Sequence, residues 1–166
     1  MADNYLEKKF EEFYGGRKPS VKHPGVSLDG LLARTRRDCV FDVRYKVHRL
    51  QLERIAGVGA KALPFQDRPS LHFHLVTAED PEIRALQMEA DGRADAEAFI
   101  IIGTAVPEDR YVDMQLGSAV QTMILKAAEL GLTAVFIPAF DRSRLRQQCR
   151  LSFDPLAVLT VGKPLC

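Results

Sequence analysis

The sequence contains no tryptophan, only three cysteines, no long unbroken apolar stretch and almost no imbalance of charge. Each shortage removes a class of explanation. Cys39, Cys149 and Cys166 are odd in number and nowhere closely paired, which argues against a disulfide framework and a zinc knuckle. Buried or incidental thiols are the expectation. The four histidines are scattered. His72 and His74 share a strand face by period two, yet no residue at ligand spacing completes them as a metal set. A helix needs about 20 apolar residues to cross a bilayer, and no segment approaches that. The opening Met1–Lys8 carries acids before any apolar segment, unlike a signal peptide, so a cytoplasmic location is expected. With 23 basic against 22 acidic residues the net charge is +1, which offers no general attraction to nucleic acid or an anionic membrane. A nucleic-acid groove also needs stacking residues across a basic field, and tryptophan is missing. No G-x-G-x-x-G follows an early strand and no G-x-S-x-G occurs, so neither a Rossmann dinucleotide site nor a nucleophile elbow is supported.

What is present is the material of one α/β domain. A chain of 166 residues falls within the single-domain range, and 46% hydrophobic residues supply a core. Leu6, Phe10 and Phe13 recur at helical spacing, predicting an amphipathic helix from about Asn4 to Tyr14 that Gly15 and Gly16 stop. Pro19 and Pro24 make the next stretch irregular. Residues 1–30 are therefore expected to form an N-terminal helix and arm, and residues 31–166 the domain proper, in one structural unit. Ser27 suits the N-cap of a short helix carrying Leu28, Leu31 and Leu32. A second helix is expected over roughly His48 to Val58. Gly57, Gly59 and Pro64 weaken helix, which predicts a loop over 60–69.

Beyond residue 70 the pattern predicts a strand over Leu71–Thr77, a helix over Pro81–Met88 and a strand over Phe99–Gly103. A long helix over Arg110–Leu130 follows, with Gly131 as its stop. Then come a strand over Ala134–Ile137, a helix capped by Asp141 and a strand over Ala157–Val161. The run Phe99–Ile102 lacks polar alternation, as a strand covered on both faces should. The succession predicts an α/β sandwich with a central mixed sheet covered by helices.

The long helix is the most informative element. Met114, Ala119, Val120, Met123, Ile124, Ala127 and Ala128 occupy more than a narrow stripe, predicting a largely buried helix. Gly117, Ala119, Ala127 and Ala128 lack bulk; close helix packing, a subunit interface and a cofactor wall all remain open. Gln121 in that setting is expected to need a hydrogen-bond partner. Upstream, Arg34, Arg36, Arg37, Arg44, Lys46 and Arg49 form a basic run opposed by Asp38 and Asp42. It suits either a solvated surface or a phosphate clamp, since guanidinium groups direct several donors at phosphate oxygens.

Three stations in order carry a family resemblance. The stretch Asp113–Leu132, with Gln121, Ala127-Ala128 and Gly131-Leu132, is followed by Ile137-Pro138-Ala139-Phe140-Asp141 and by Val161-Gly162-Lys163-Pro164. Together they resemble the nitroreductase family of flavin-binding oxidoreductases, over about Leu31 to Pro164. The resemblance implies an FMN site. Arg36 and Arg37 match the basic pair that holds phosphate in the family, Asp38 stands where serine is usual, and Val40 where a further basic residue is usual. Pro64, Phe65, Gln66, Asp67 and Arg68 occupy the Ala-Pro-Ser and Asn station, with Asp67 or Arg68 at the Asn position. Ile137, Pro138, Ala139 and Phe140 fall beside flavin N5. Proline has no N–H, which leaves Ala139 as the backbone donor there. Lys163 is the one basic residue near the chain end that substitutes for a further phosphate ligand.

The resemblance further implies a homodimer that takes electrons from NAD(P)H and returns them to a nitroaromatic, quinone or similar small acceptor. In that scheme FMN is the redox catalyst and no side chain acts as acid, base or nucleophile. A flavin- or small-ligand-binding protein without efficient turnover is the alternative, and a purely structural dimer a third reading.

Overall fold

The computed structural model describes residues 26–35, 40–62, 70–89, 95–137 and 139–165. The helix expected over Asn4–Tyr14 lies outside them. The described elements, in chain order, are α1 (Leu28–Arg34), α2 (Arg49–Lys61), β1 (Leu71–Val76), α3 (Ile83–Glu89), β2 (Ala98–Thr104), α4 (Arg110–Glu129), β3 (Thr133–Ile137), α5 (Arg142–Gln148) and β4 (Asp154–Gly162). The strands form one sheet in the order β1-β2-β4-β3. Every pairing among them is antiparallel. The helix-covered α/β sandwich is as expected; the parallel component of a mixed sheet is not among the described strands.

All seven residues of β2 are buried. Its neighbours alternate between two cores. Ile100 and Ile102 join Leu159, Val161 and residues of α2 and α4 on one face, among them Leu52, Ile55, Ala119 and Met123. Phe99 and Ile101 join Val158, Leu86 of α3 and Leu145 of α5 on the other. Period two is therefore present in β2 but hidden, because both faces are apolar. The β2–β4 register shifts between Ile102 and Gly103. A Cβ at Gly103 would lie 2.1 Å from the Asp154 carbonyl oxygen, so only glycine lets β4 pass there.

α2 runs through Gly57 and Gly59 to Lys61, so Ala60 and Lys61 belong to a helix where a loop was expected. The reason is tertiary. A Cβ at Gly59 would sit 2.6 Å from Met123 Cγ, so the missing side chain is what allows α2 to press against α4. That gain outweighs the roughly 1 kcal/mol by which glycine disfavours a helix interior.

α4 starts where Asp109 accepts hydrogen bonds from Tyr111 N and Val112 N, both at 2.9 Å. It ends before Gly131, whose φ of 70° is the left-handed stop. Its buried face is Val112, Gln115, Ala119, Met123, Ala127 and Ala128. Two expectations need correction and one open choice narrows. Gln121 is exposed, and the buried amide belongs to Gln115, at 1% exposure. Met114 is 54% exposed. Among the described residues nothing packs against Gly117. Helical phase explains all three, since residues 114, 117 and 121 follow one another on the side away from the sheet.

The caps expected at Ser27 and Asp141 are present: Ser27 Oγ accepts from Gly30 N at 3.1 Å, and Asp141 from Arg144 N at 3.0 Å. α1 packs on α4 but buries none of its own residues.

Candidate functional site

The sheet registers sort the expected site residues between two ends of the molecule. Leu71, Thr104 and Asp154 are cross-strand neighbours and define one end. β3 stops level with Val158, so Ile137 ends partway along β4 and the chain continues toward that same end. Ile137 is buried, Ala139 exposed and Phe140 half-buried against the core that holds Leu145 and Phe153. Arg142, just beyond, pairs with Glu108 and lies 3.7 Å from Asp154. The turn from Ile137 to Asp141 thus leaves main chain at the surface between an apolar wall and a charged anchor.

Residues 63–69 lie outside the described residues; Ser70, which follows them, precedes Leu71 at this end. Both of their flanks are held on α4. Ser118 Oγ donates to Ala62 O at 2.7 Å, and Ser70 Oγ donates to Gln115 Oε1 at 2.5 Å. Gln115 and Ser118 are one helical turn apart, about 4.5 Å along the axis.

The opposite end is built by residues 40–46 and the chain's final described residues. Phe41 bridges Pro164, Asp42 N donates to Lys163 O at 2.8 Å, and Leu165 N donates to Val40 O at 2.9 Å. Phe41 N also donates to Asp95 Oδ2 at 2.8 Å. The segment that leaves Arg36-Arg37 is therefore pinned immediately downstream of them. Lys163 itself is exposed; its ammonium donates to Gly131 O at 2.9 Å and stands 6.0 Å from the centre of the Tyr45 ring. It caps the carbonyl end of α4, a favourable place for a cation. Five positions separate Lys163 from the level of Ile137, roughly 17 Å at strand spacing.

Much of the remaining basic run has carboxylate partners. Arg44 bonds Asp42 at 3.0 Å, Lys46 bonds Glu97 at 2.7 Å, and Arg49 lies 3.8 Å from both Glu53 and Asp80. The hydrogen bonds from Arg44 hold the half-buried Asp42 carboxyl below its ordinary value. Cys149 is buried, and that burial pushes its thiol up to about 11, the state of an inert thiol. Among the described residues no group of three or more His, Cys, Asp or Glu gathers in metal-binding geometry, and His72 stacks on Phe153 at 5.4 Å instead. No helix among them is long and apolar enough to cross a membrane.

Of the expected site residues, Arg36, Arg37, Asp38, Pro64, Phe65, Gln66, Asp67, Arg68 and Pro138 lie outside the described residues. Ile137, Ala139 and Phe140 are together, and Lys163 is at the other end. Sequence reasoning missed Gln115 and Asp95, two residues that hold the segments flanking the site. For Gln115 a signal existed, since it is in phase with Val112, Ala119 and Met123.

An antiparallel sheet between two helical layers, with its irregular segments at the sheet ends, defines an α/β class used by many enzymes. The chain belongs to the nitroreductase family, whose family model matches residues 41–163. Solved structures share the fold. A nitroreductase family protein from Clostridium difficile 630 is similar with a TM-score of 0.67 and 23% identity, covering 82% of this chain and 84% of that one. A protein named as a nitroreductase from Desulfovibrio desulfuricans, in complex with FMN, gives 0.69 at 21% identity, covering 82% and 87%. A mutant of an FMN- and NADPH-dependent nitroreductase from Sphigopyxis sp. strain HMH gives 0.71 at 15% identity, covering 84% and 88%. No curated protein matches the chain.

Proposed function

We propose that this protein is a cytoplasmic, homodimeric FMN-dependent oxidoreductase that passes electrons from NAD(P)H to a nitroaromatic, quinone or related small acceptor. The observation that carries the reading is the family match over residues 41–163, which takes in all four strands and the turn after β3. Among the similar structures, the Desulfovibrio desulfuricans protein is itself complexed with FMN and the Sphigopyxis enzyme is itself FMN- and NADPH-dependent.

The described residues fit a flavin in part. A planar ring with a polar edge needs an apolar wall beside exposed main chain. Buried Ile137, half-buried Phe140 and exposed Ala139 supply that combination. Bound FMN would supply the two-electron redox chemistry. The chain's own groups would bind and orient it: the Ala139 N–H would be the donor to the flavin edge, since Pro138 has none, and Pro64, Phe65, Gln66, Asp67 and Arg68 would hold the other side. Arg36 and Arg37 hold the phosphate, and Asp38 accepts from a ribityl hydroxyl. Because the Lys163 ammonium already serves the Gly131 carbonyl, the phosphate charge falls mainly on the arginine pair.

Adding FMN, removing the free cofactor and recording the absorbance spectrum tests the reading directly; a colourless protein refutes it. NAD(P)H should then bleach the bound flavin, and a quinone should restore it. Retained FMN that NAD(P)H cannot bleach would favour a flavin-binding protein without turnover, a reading supported by Asp38, Val40 and the engagement of Lys163. Arg36→Ala should weaken FMN by about tenfold or more, since a charge-assisted hydrogen bond contributes about 1.5–3 kcal/mol. Riboflavin, without phosphate, should scarcely respond.

A further inference from the structure

We propose that Arg146 and Arg150, at the end of α5, hold the 2′-phosphate of the nicotinamide donor and make NADPH rather than NADH the reductant. The proposal rests on the flavin reading above, and it adds which donor is used and what selects it.

Residues 142–150 carry four arginines and no acid, in a chain whose net charge is only +1. Arg142 is engaged by Glu108 and Asp154. Arg146 and Arg150 are exposed, and among the described residues neither side chain has a hydrogen-bond or ion-pair partner. Arg150 carries a second sign. α5 closes with Leu151 N donating to Arg146 O at 2.9 Å and Arg150 N donating to Gln147 O at 3.3 Å. Those bonds put residue 150 in the left-handed region, at φ 49°, where glycine is the usual occupant. The end of α4 is closed by the same two bonds, from Leu132 N to Ala127 O and from Gly131 N to Ala128 O, and there the left-handed residue is Gly131. An arginine in that place is held at a cost, because its Cβ crowds the carbonyl. Packing does not ask for it, since Leu151 joins Leu145 in the core while Arg150 stays outside. A cation near a helix's carbonyl end is favourable, but Arg146 already provides one from ordinary helical backbone. What position 150 gains is a second guanidinium four residues from the first, and two planar forks suit a phosphate dianion.

Placement selects the donor's phosphate. α5 begins at Arg142, directly after the turn that offers Ala139 to the flavin edge. The nicotinamide and the 2′-phosphate lie at opposite ends of the dinucleotide, so the phosphate is read away from that turn. The seven residues of α5 run about 10 Å, and Arg146 and Arg150 stand toward the far end of that length. A nucleic acid would need a wider basic field, and Arg44, Lys46 and Arg49 are paired with carboxylates instead.

Full-length protein loaded with FMN is assayed with NADPH and NADH, and flavin-free protein is titrated with adenosine 2′,5′-bisphosphate and with AMP. Wild type should favour NADPH in kcat/KM and bind the bisphosphate more tightly than AMP. Arg146→Gln and Arg150→Gly should each raise KM for NADPH about tenfold or more, the worth of one charge-assisted hydrogen bond, with a far smaller effect on NADH. The effect should fall on KM rather than kcat, as loss of uniform binding does. Arg150→Gly should melt no lower than wild type, since glycine relieves the left-handed position, so its loss of selectivity is not misfolding. Arg146→Lys should recover part of the loss. Arg54→Gln, on α2 across the sheet, is the control and should change neither donor. Equal use of NADPH and NADH by wild type overturns the proposal, as do variants that lose both donors alike. An RNA oligonucleotide bound more tightly than the bisphosphate, and lost in the same two variants, overturns it by assigning the arginines to a polyanion. Wild type that retains no FMN defeats the flavin reading. Equal affinity for the bisphosphate and AMP, whether or not FMN is retained, defeats the assignment of the two arginines.

Discussion

β2 and α1 are both seven residues long and both carry large apolar side chains, yet every residue of β2 is buried and none of α1 is. The strand is enclosed by its own chain, with α2 and α4 over one face and α3 and α5 over the other. The helix has α4 on one side, and Leu28 and Leu32 remain 60% and 44% exposed. A helix of two turns has little stability of its own and depends on packing. The contrast separates a centre that this chain completes alone from a margin with apolar surface left over. Val26 and Met114 are exposed as well, at 44% and 54%. In the proposed homodimer a second copy covers that margin.

The largest effect should come from opening the centre. Ile101→Ala should destabilise the protein by about 2–5 kcal/mol, as methylene deletions in packed cores do. Urea unfolding measures it, and a loss below about 1 kcal/mol would break the comparison by making the sheet centre as tolerant as the margin. Asp109→Ala tests the element that joins the two regions. It removes the acceptor for Tyr111 N and Val112 N, and should lower stability by about 1 kcal/mol in the same assay.

Leu28→Ser combined with Leu32→Ser should leave the stability of an isolated subunit within about 0.5 kcal/mol per site, because neither side chain is buried within one chain. Light scattering should then report the monomer mass where wild type reports twice that value. A doubly substituted dimer of undiminished affinity would remove α1 from the contact.

The smallest effect belongs to the turn after β1. Asp80 accepts from Thr77 N at 2.7 Å, which, against an opposing push from partial burial, holds its carboxyl below its ordinary value of 3.8. The Thr77 hydroxyl and Arg49 add to the lowering. A carboxyl whose folded value is depressed stabilises the fold above its unfolded value and loses that contribution as pH falls through the folded one. Asp80→Asn should therefore be less stable than wild type at neutral pH, with the gap closing below about pH 3.8. Melting curves from pH 2 to 7 would reveal a gap that stays constant if the carboxyl has no such role.

The fold was legible wherever one chain segment carried its own pattern. Ser27 and Asp141 begin helices, Gly131 ends one, and the unbroken apolar run at Phe99 became the central strand. Gly59 misled, because its partner Met123 is far away in sequence and glycine looks like a breaker until the crossing helix is known. The two glutamines of α4 differ by helical phase alone, and the larger apolar count around Gln121 pointed to the wrong one. The site was legible in a different way. The order of Asp113–Leu132, Ile137–Asp141 and Val161–Pro164 marks a family, but spacing along a chain carries no statement about which stations meet.

By itself, then, the sequence determined an α/β sandwich, most of its element boundaries and its family. Those properties follow from local rules of capping, periodicity and turn chemistry, which act over a few residues. Tertiary structure alone decided that Gly59 is a crossing point and that Lys163 stands roughly 17 Å along the sheet from the Ile137 turn with its ammonium on Gly131. These are outcomes of strand register and helix phase, set by which distant side chains fill the same space, and nothing in the neighbouring residues encodes them.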